Sequence, residues 1–320
     1  MVALIAPQQR QPIDLNARAA AHVKTITAGL VELRRDLHRH PELSNQESRT
    51  AGIVAARLRQ LGLEVRTGVG GHGVVGILRG GRPGPLVAYR ADMDAVRSAE
   101  PDPVEFRSVV PGVRHICGHD MHVTIGLGLA STLASLKRDL PGSVMFIFQP
   151  AEEIASGASA MLNAGLFAKE KPVAILGLHT APHEVGRLSS KAGQMMYANA
   201  IAPGVTNDDA LFVQSRAALI RTLGAAAFID LKQPPERFSE DFGAFQALTP
   251  GVFFFLGLGQ KAMPHSADFV ADEAAIPFGI RAMAAVVVGR LGQVTTGDDR
   301  SRRVTTGDDG SRQVTTGDDG

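Results

Sequence analysis

The sequence is poor in cysteine, has almost no net charge and contains no long uninterrupted apolar run. Its 320 residues include one cysteine, no tryptophan and two tyrosines. A single cysteine excludes an internal disulfide framework and fits a reducing compartment. The net charge of +1, from 33 basic and 32 acidic residues, gives no field that would attract nucleic acid or anionic lipid. We therefore expect a small molecule as partner, and neither nucleic acid nor a membrane.

The chain also lacks the patterns that direct a protein into or across a membrane. No run of about 18 or more apolar residues predicts a membrane span. The amino-terminal residues do not show the basic-then-apolar pattern of a secretion signal. These absences predict a cytoplasmic protein. Hydrophobic residues make up 44% of the chain, which is enough for one large core.

The hydrophobic pattern alternates between strand and helix periods. Helices are predicted at residues 17–40, 46–61, 123–136, 158–166, 208–223 and 272–291. Strands are predicted at residues 63–69, 74–78, 86–89, 143–148, 173–178, 187–196 and 251–259, with a short segment at 228–231. Strands that alternate with helices form a largely parallel sheet. The predicted fold class is therefore α/β.

The two ends of the chain differ from its middle. Residues 1–16 are aperiodic and predict a flexible arm, so the folded domain is placed at 17–292. From residue 294 the unit Val-Thr-Thr-Gly-Asp-Asp occurs three times, beginning at 294, 304 and 314. Each repeat has a single valine and cannot bury a core, so residues 293–320 are predicted to be a disordered tail.

The segment 115–122 carries the densest set of metal-binding side chains. It holds the only cysteine, three of ten histidines and a carboxylate. In an extended segment, residues two apart point to the same side, so Cys117 and His119 could reach one metal ion. Cysteine alone is more often a small buried hydrophobe. The histidine two residues later favours ligation, and the remaining ligands must come from elsewhere.

A pair of carboxylates follows the predicted strand 143–148. On an extended backbone Glu152 and Glu153 would point in opposite directions, which suggests that one binds a metal and the other takes a proton from water. A solvated acidic turn is the commoner fate of such a pair. The position after a buried strand favours a functional role, because ligands of parallel sheets bind beyond the carboxyl ends of the strands. Asp92, Asp94 and His179 are expected at the same edge.

Single histidines are more often surface or hydrogen-bonded groups than ligands. His179 and His265 each follow a predicted apolar strand, and this position favours ligation. We interpret three other histidines as groups that support a ligand or lie at the surface: His115, His122 and His183.

Seven motifs, in the same order along the chain, resemble those of the dinuclear metal-dependent amidohydrolases. This family includes hippurate hydrolase, N-acyl-L-amino acid amidohydrolases and the plant indole-acetyl-amino-acid hydrolases. The motifs lie at residues 33–42, 90–95, 115–122, 148–153, 177–179, 240–242 and 264–266. The resemblance implies the catalytic-domain fold of the metallopeptidases, a three-layer sandwich with a mainly parallel twisted central sheet flanked by helices.

The resemblance also assigns roles by position. It implies that two divalent ions are held by Cys117, His119, Glu153, His179 and His265. Glu152 would be the general base, and ligands would be oriented by Asp92, Asp94, Asp120 and Asp241. The implied reaction is metal-dependent hydrolysis of the amide bond in N-acyl amino acids or small peptides. Zinc, manganese, cobalt and nickel all suit the donor set.

One departure from the family is large. Its members carry an inserted lid domain between the strand ending near Met196 and the helix beginning near Asp208. Here that interval is the short joint 198–205, so the lid is predicted to be absent. In the family the lid supplies most of the dimer interface and a histidine that steadies the oxyanion. We therefore expect a monomer with apolar edges exposed around 195–201.

Two alternatives to an active hydrolase stay open at this stage. The chain could be a catalytically impaired metal-binding remnant that has lost its lid, or a scaffold whose repeat tail binds a partner. The intact ligand set favours the enzyme, whereas the missing lid and the tail favour the alternatives.

Overall fold

The structure is a computed structural model that describes residues 14–200, 202–235, 239–259, 261 and 263–297, with side chains described as far as residue 292. The helices are α1 (Leu15–Arg39), α2 (Ser48–Gln60), α3 (His119–Ser135), α4 (Gly157–Asn163), α5 (Asp209–Leu223), α6 (Gly243–Gln246) and α7 (Ala275–Gly297). The strands are β1 (Glu64–Thr67), β2 (Val74–Arg79), β3 (Arg82–Asp92), β4 (Val96–Arg97), β5 (Val113–Arg114), β6 (Pro141–Gln149), β7 (Ala174–Ala181), β8 (Leu188–Ser190), β9 (Gly193–Met196), β10 (Val205–Asn207), β11 (Phe228–Asp230) and β12 (Gly251–Gly257).

Local signals in the sequence decide where the long helices begin and end. The Asp14 side chain accepts hydrogen bonds from the backbone N–H groups of Asn16 and Ala17, which caps α1. Asp208 caps α5 in the same way, through the N–H of Leu211. Gly224, which follows α5, has a φ of 88°. That left-handed value suits glycine and stops the helix.

The main sheet has eight strands in the order β1-β2-β6-β3-β7-β12-β8-β11. Its four central strands, β6, β3, β7 and β12, run parallel to one another. Antiparallel pairs lie on either side of this centre, between β1 and β2, β2 and β6, and β12 and β8. The carboxyl ends of the four central strands therefore meet at one edge, which is the position expected for a ligand site.

Helices cover both faces of this sheet and give the predicted three-layer sandwich. On one face the apolar sides of α1, α2, α3, α5 and α7 pack against alternate sheet residues such as Tyr89, Phe146 and Phe254. On the other face, α4, α6 and the β9–β10 ribbon pack against the intervening residues, among them Phe253 and Phe255. Both faces of the central strands are thus buried, which accounts for their nearly continuous apolar sequences.

Helix α7 lies at the centre of the first helical layer. It packs against α1, α3 and α5 and against the sheet. The window Ala275–Gly292 is long and apolar enough, by length and composition alone, to cross a membrane, and 61% of it is buried inside the protein. The buried apolar side chains of this window fill part of the core.

The predicted strand 187–196 is wrong as a single element. Residues Leu188–Ser190 form β8 in the main sheet, whereas Gly193–Met196 form β9, which pairs only with β10 in a separate ribbon. Gly193, with a φ of 66°, turns the chain between them. The expectation of exposed apolar edges is also wrong in part. Met195 and Met196 are buried, while Tyr197 is 68% exposed, and residue 201 lies outside the described residues.

The boundaries of the folded part differ slightly from those expected. Helix α1 includes Leu15 and Asn16 because Asp14 caps it, so these two residues of the predicted arm belong to the helix. Helix α7 continues to Gly297, five residues past the predicted boundary at 292. Residues 1–13 and 298–320, which carry the rest of the predicted arm and tail, lie outside the described residues.

The central position of Phe254 on β12 allows a test of the core. Its side chain is fully buried in the larger apolar cluster. Phe254→Ala should lower the free energy of unfolding by about 3–5 kcal/mol, because it removes a large apolar side chain and leaves a cavity. Urea denaturation measures this change. The control Val213→Ala, at a side chain 63% exposed on α5, should stay within about 0.5 kcal/mol of the parent. Equal losses in the two variants would contradict the proposed packing.

Candidate metal centre

The candidate centre lies at the carboxyl edge of the parallel strands, as the sequence predicts. Asp92 ends β3, and Asp94 lies two residues beyond it. Glu152 and Glu153 follow the end of β6 at Gln149. His179 differs from expectation, because β7 continues past it to Ala181 and the histidine lies within the strand.

Cys117 and His119 converge through a turn rather than through an extended segment. Gly118 has a φ of 87°, and α3 begins at His119. A Cβ atom at Gly118 would lie 2.7 Å from Oγ1 of Thr180, so glycine meets both the conformation and the space available. Cys117 and His119 do lie close together, but a turn at Gly118 brings them together and not an extended backbone. Their neighbour across the site is His179, whose Nε2 lies 3.4 Å from the Cys117 Sγ.

The carboxylate pair also lies in a turn, at residues 152–155. Ala151 and Ala155 on either side have φ values of 53° and 49°. In place of the opposite directions expected on an extended backbone, both carboxylates approach His119. Glu152 Oε2 lies 3.8 Å and Glu153 Oε1 lies 3.7 Å from the His119 Nε2.

The five predicted ligands form two groups of three that share Cys117. One group is Cys117, His119 and His179, and the other is Cys117, Glu153 and His265. Within each group the possible ligand atoms lie within 4.8 Å of one another. His265 reaches the cluster through its Nε2, which is 3.1 Å from Glu153 Oε2. A thiolate between two such groups can contribute to two ion positions at once.

The hydrogen bonds of two histidines direct a lone pair into this cluster. The His119 Nδ1 lies 2.8 Å from the backbone oxygen of Asp94, and the His179 Nδ1 lies 2.7 Å from that of Thr180. A carbonyl oxygen only accepts, so each Nδ1 carries a proton, and each Nε2 is the nitrogen that can offer a lone pair to a cation. The buried Nε2 of His119 has no hydrogen-bond partner among the described residues. A metal ion would fit beside this unpartnered nitrogen. Metal-bound histidines commonly hydrogen-bond through their other ring nitrogen to a backbone carbonyl, as both histidines do here.

The pKa shifts show that the cluster is short of positive charge. Burial and the Glu240 carboxylate raise the pKa of Glu152 well above its ordinary value. Burial and Glu153 do the same for the pKa of the Cys117 thiol. Burial alone would lower the pKa of His119, but Asp92 and Cys117 raise it well above its ordinary value. Glu152, Cys117 and His119 therefore favour their protonated forms, and divalent cations would replace those protons and stabilise the thiolate.

Asp92 and Asp94 support the ligands directly. Asp92 Oδ1 accepts from the His122 Nδ1, and Asp92 Oδ2 lies 3.7 Å from the His119 Nε2. Asp94 Oδ2 accepts from the Ser44 hydroxyl at 2.7 Å and from the backbone N–H of Glu153 at 3.0 Å. Asp94 thus holds one end of the carboxylate turn as well as the ring of His119. These contacts agree with the orienting role expected for both residues.

Asp241 and Asp120 contact other groups. Asp241 accepts from Arg90 and Gln149 and from the backbone N–H of Ala158, and its carboxylate lies beside that of Glu152. Asp120 faces away from the ligands toward α1, where its Oδ2 lies 2.8 Å from both Arg34 Nε and His38 Nδ1. Asp120 thus fixes α1 against the start of α3. Because α3 begins at His119, Asp120 supports this ligand indirectly.

Sequence reasoning gave no role to Arg90 and placed His122 only among the supporting or surface histidines. Arg90 is fully buried and contacts the carboxylates of Asp92, Glu240 and Asp241. His122 donates from Nδ1 to Asp92 and accepts at Nε2 from the backbone N–H of Thr180, which occupies both ring nitrogens. The signal for Arg90 was available, because a charged side chain within an apolar strand needs buried partners.

Comparison with known proteins supports the metal interpretation. The sequence profile described as peptidase family M20/M25/M40 matches residues 88–288. Thermostable carboxypeptidase 2 of Saccharolobus solfataricus is 42% identical over 188 residues, which is 58% of this chain and 47% of that protein. The IAA-amino acid hydrolase ILR1-like 4 of Arabidopsis thaliana is 42% identical over 168 residues, 52% of this chain and 38% of the relative. The chain thus spans less than half the length of these curated relatives.

A solved structure extends the similarity over most of the fold. The protein YXEP of Bacillus subtilis, described as a dinuclear metal-binding peptidase of the M20 family, superposes with a TM-score of 0.77 at 26% identity. The match covers 85% of this chain and 99% of that one. The two groups of ligands around Cys117 agree with a centre for two metal ions.

The buried charge of Arg90 provides a test of the site's supporting structure. Arg90→Met removes the only cation that contacts the three carboxylates among the described residues. Uncompensated buried charge is expensive, so the free energy of unfolding should fall by about 3–5 kcal/mol. Arg216→Met, which breaks the exposed ion pair with Asp230, is a matched control and should cost less than about 1 kcal/mol. Denaturant titration of both variants measures these free energies. A loss of stability in Arg90→Met no larger than in Arg216→Met would contradict this account.

Proposed function

The chain belongs to peptidase family M20/M25/M40, and from that membership and the geometry of its site we propose that it is a dinuclear metal-dependent hydrolase. The observation that carries the proposal is the pair of ligand groups that share Cys117, with the Glu152 carboxylate beside them. The proposed ligands of the two ions are Cys117, His119, Glu153, His179 and His265.

The proposed chemistry divides the work between the ions and Glu152. When bound, two divalent ions would polarise a carbonyl group and lower the pKa of water in the site. Glu152 would accept a proton from the attacking water and later deliver it to the leaving amine nitrogen. Its place 3.8 Å from the His119 Nε2 supports this role, since the carboxylate borders the ligand cluster. Glu153 is 3.1 Å from His265 and is better placed as a ligand.

The donor set suits several metals. A thiolate with imidazole nitrogens favours zinc, and the carboxylate admits manganese, cobalt or nickel. We propose that both ions are drawn from these four metals.

We propose that the substrate is an N-acyl amino acid or a small peptide, cleaved at its amide bond. Support comes from the names of similar proteins, an IAA-amino acid hydrolase, an N-acetylcysteine deacetylase and a carboxypeptidase. From the composition we also propose a cytoplasmic location.

We further propose that the joint 198–205 stands where relatives carry an inserted lid domain. Strand β9 ends at Met196 and β10 begins at Val205, and these two residues face each other in the ribbon. A monomer is expected, because the lid makes the dimer interface in the family that this chain resembles. Loss of an oxyanion donor from the lid would reduce turnover by about 100-fold or more. The alternative is therefore a remnant that binds metal without catalysis.

The proposal is tested by hydrolysis of N-acetyl, N-benzoyl and indole-acetyl amino acids by protein loaded with manganese or zinc. Glu152→Gln should lower the turnover number by about 100- to 10,000-fold, because it removes the group that moves the proton. Removal of the ions by a chelator should abolish turnover. Glu184→Gln, at an exposed glutamate paired with Arg187, is the control and should keep full activity.

Metal content separates the two functions. Folded wild-type protein that holds two ions but turns over no faster than Glu152→Gln would exclude the enzyme and leave the metal-binding remnant. Protein that holds no ions would exclude both.

A further inference from the structure

His265 is the proposed ligand that is least enclosed by the protein. Its side chain is 54% exposed, whereas that of Glu153 is 10% exposed and Cys117, His119 and His179 are buried. It lies in a loop between β12 and α7, and its φ of 63° is a left-handed value that a residue with a side chain rarely adopts. A ligand on such a loop keeps its position only if other contacts hold the loop in place.

Two contacts tie this loop to the segment that carries Cys117. The backbone N–H of His265 donates to the carbonyl oxygen of Ile116 at 2.8 Å. Two residues later, the carbonyl oxygen of Ala267 accepts from both terminal nitrogens of Arg114, Nη1 and Nη2, each at 3.2 Å. The first contact uses backbone atoms only. The second depends on a side chain and can therefore be removed by substitution.

The Arg114 side chain is itself rigidly held. It is 3% exposed, and its Nε donates to the Asp102 carboxylate. Asp102 in turn accepts from the backbone N–H of Ser108 at 2.8 Å, and its Oδ2 lies 3.5 Å from the His38 Nε2. The buried guanidinium donates through Nε to a carboxylate and through its two terminal nitrogens to a carbonyl oxygen. These contacts make a fixed link between two parts of the chain.

We propose that Arg114 is a positioning residue that holds the His265 loop and thereby sets the affinity of the ion position formed by Cys117, Glu153 and His265. This inference rests on the proposed two-metal function. It separates the two ion positions, because in the other group His119 lies on α3 and His179 on β7, whereas His265 lies on the loop that Arg114 holds. Loss of the link should weaken one ion position and spare the other.

The test is calorimetric titration of metal-free protein with Mn²⁺, together with the charge-transfer absorption of the Co²⁺-loaded form. Arg114→Met should raise the dissociation constant of one of two bound ions by about 10- to 100-fold, the usual effect of removing a group that orients a ligand. The thiolate-to-cobalt band should persist, since Cys117 remains a ligand of the other ion. His265→Ala, which removes the ligand itself, gives the reference pattern that Arg114→Met should resemble.

Two further variants keep the result decisive. Arg114→Lys preserves the charge beside Asp102 but lacks the planar fork, so it should weaken the same ion position even if Arg114→Met folds poorly. Leu58→Ala lowers stability from the buried face of α2, away from the site, and should leave both dissociation constants unchanged. An equal weakening in Leu58→Ala would show a general loss of stability and overturn the inference.

The outcomes distinguish this inference from the proposed function. If wild-type protein holds fewer than two ions, the two-metal function fails and this inference fails with it. If wild-type protein holds two ions, and both Arg114 variants bind them with unchanged constants, the function stands and only the role of Arg114 is excluded.

Discussion

The compensation of buried negative charge at the carboxyl edge of the sheet is the constraint on which the site depends. Asp92, Glu240 and Asp241 are each at most 2% exposed. Burial of such carboxylates costs several kcal/mol each unless positive charge or hydrogen bonds offset it. Arg90 supplies a permanent cation for these three. Around Cys117 the compensation is left to protons or to exchangeable cations, and this difference suits that half of the cluster to the proposed metal centre.

The support of each ligand follows from the element that carries it. His119 begins α3 and His179 lies within β7, so their rings are fixed by packing and by hydrogen bonds to backbone oxygens. Glu153 lies in a turn and is held by one carboxylate, that of Asp94. His265 lies in a loop and depends on contacts with residues 114 and 116. The rigidity of the ligands thus decreases from one ion position to the other.

Much of the fold could be predicted, and so could which side chains lie close together at the site, but their local geometry could not. Periodicity indicated the central strands because both of their faces are apolar, and the resemblance pointed to the proposed ligands by motif. The backbone at Gly118 and the turn at Glu152 were misjudged because both involve left-handed residues. An extended-chain argument cannot represent such residues. The split between β8 and β9 was missed for the same reason, since Gly193, with a φ of 66°, lies within the segment predicted as one strand.

The proposed loss of the lid bears differently on metal binding and on catalysis. Four of the proposed ligands precede the joint 198–205 in sequence and one follows it, so all of them belong to the sheet domain. The β9–β10 ribbon buries Met195, Met196 and Val205 in the second apolar cluster, on the face of the sheet that carries α4 and α6. Metal binding therefore needs nothing from a lid. Catalysis also needs a donor for the developing oxyanion, and where the proposed loss of the lid removes that donor, the proposed ions would have to stabilise the charge.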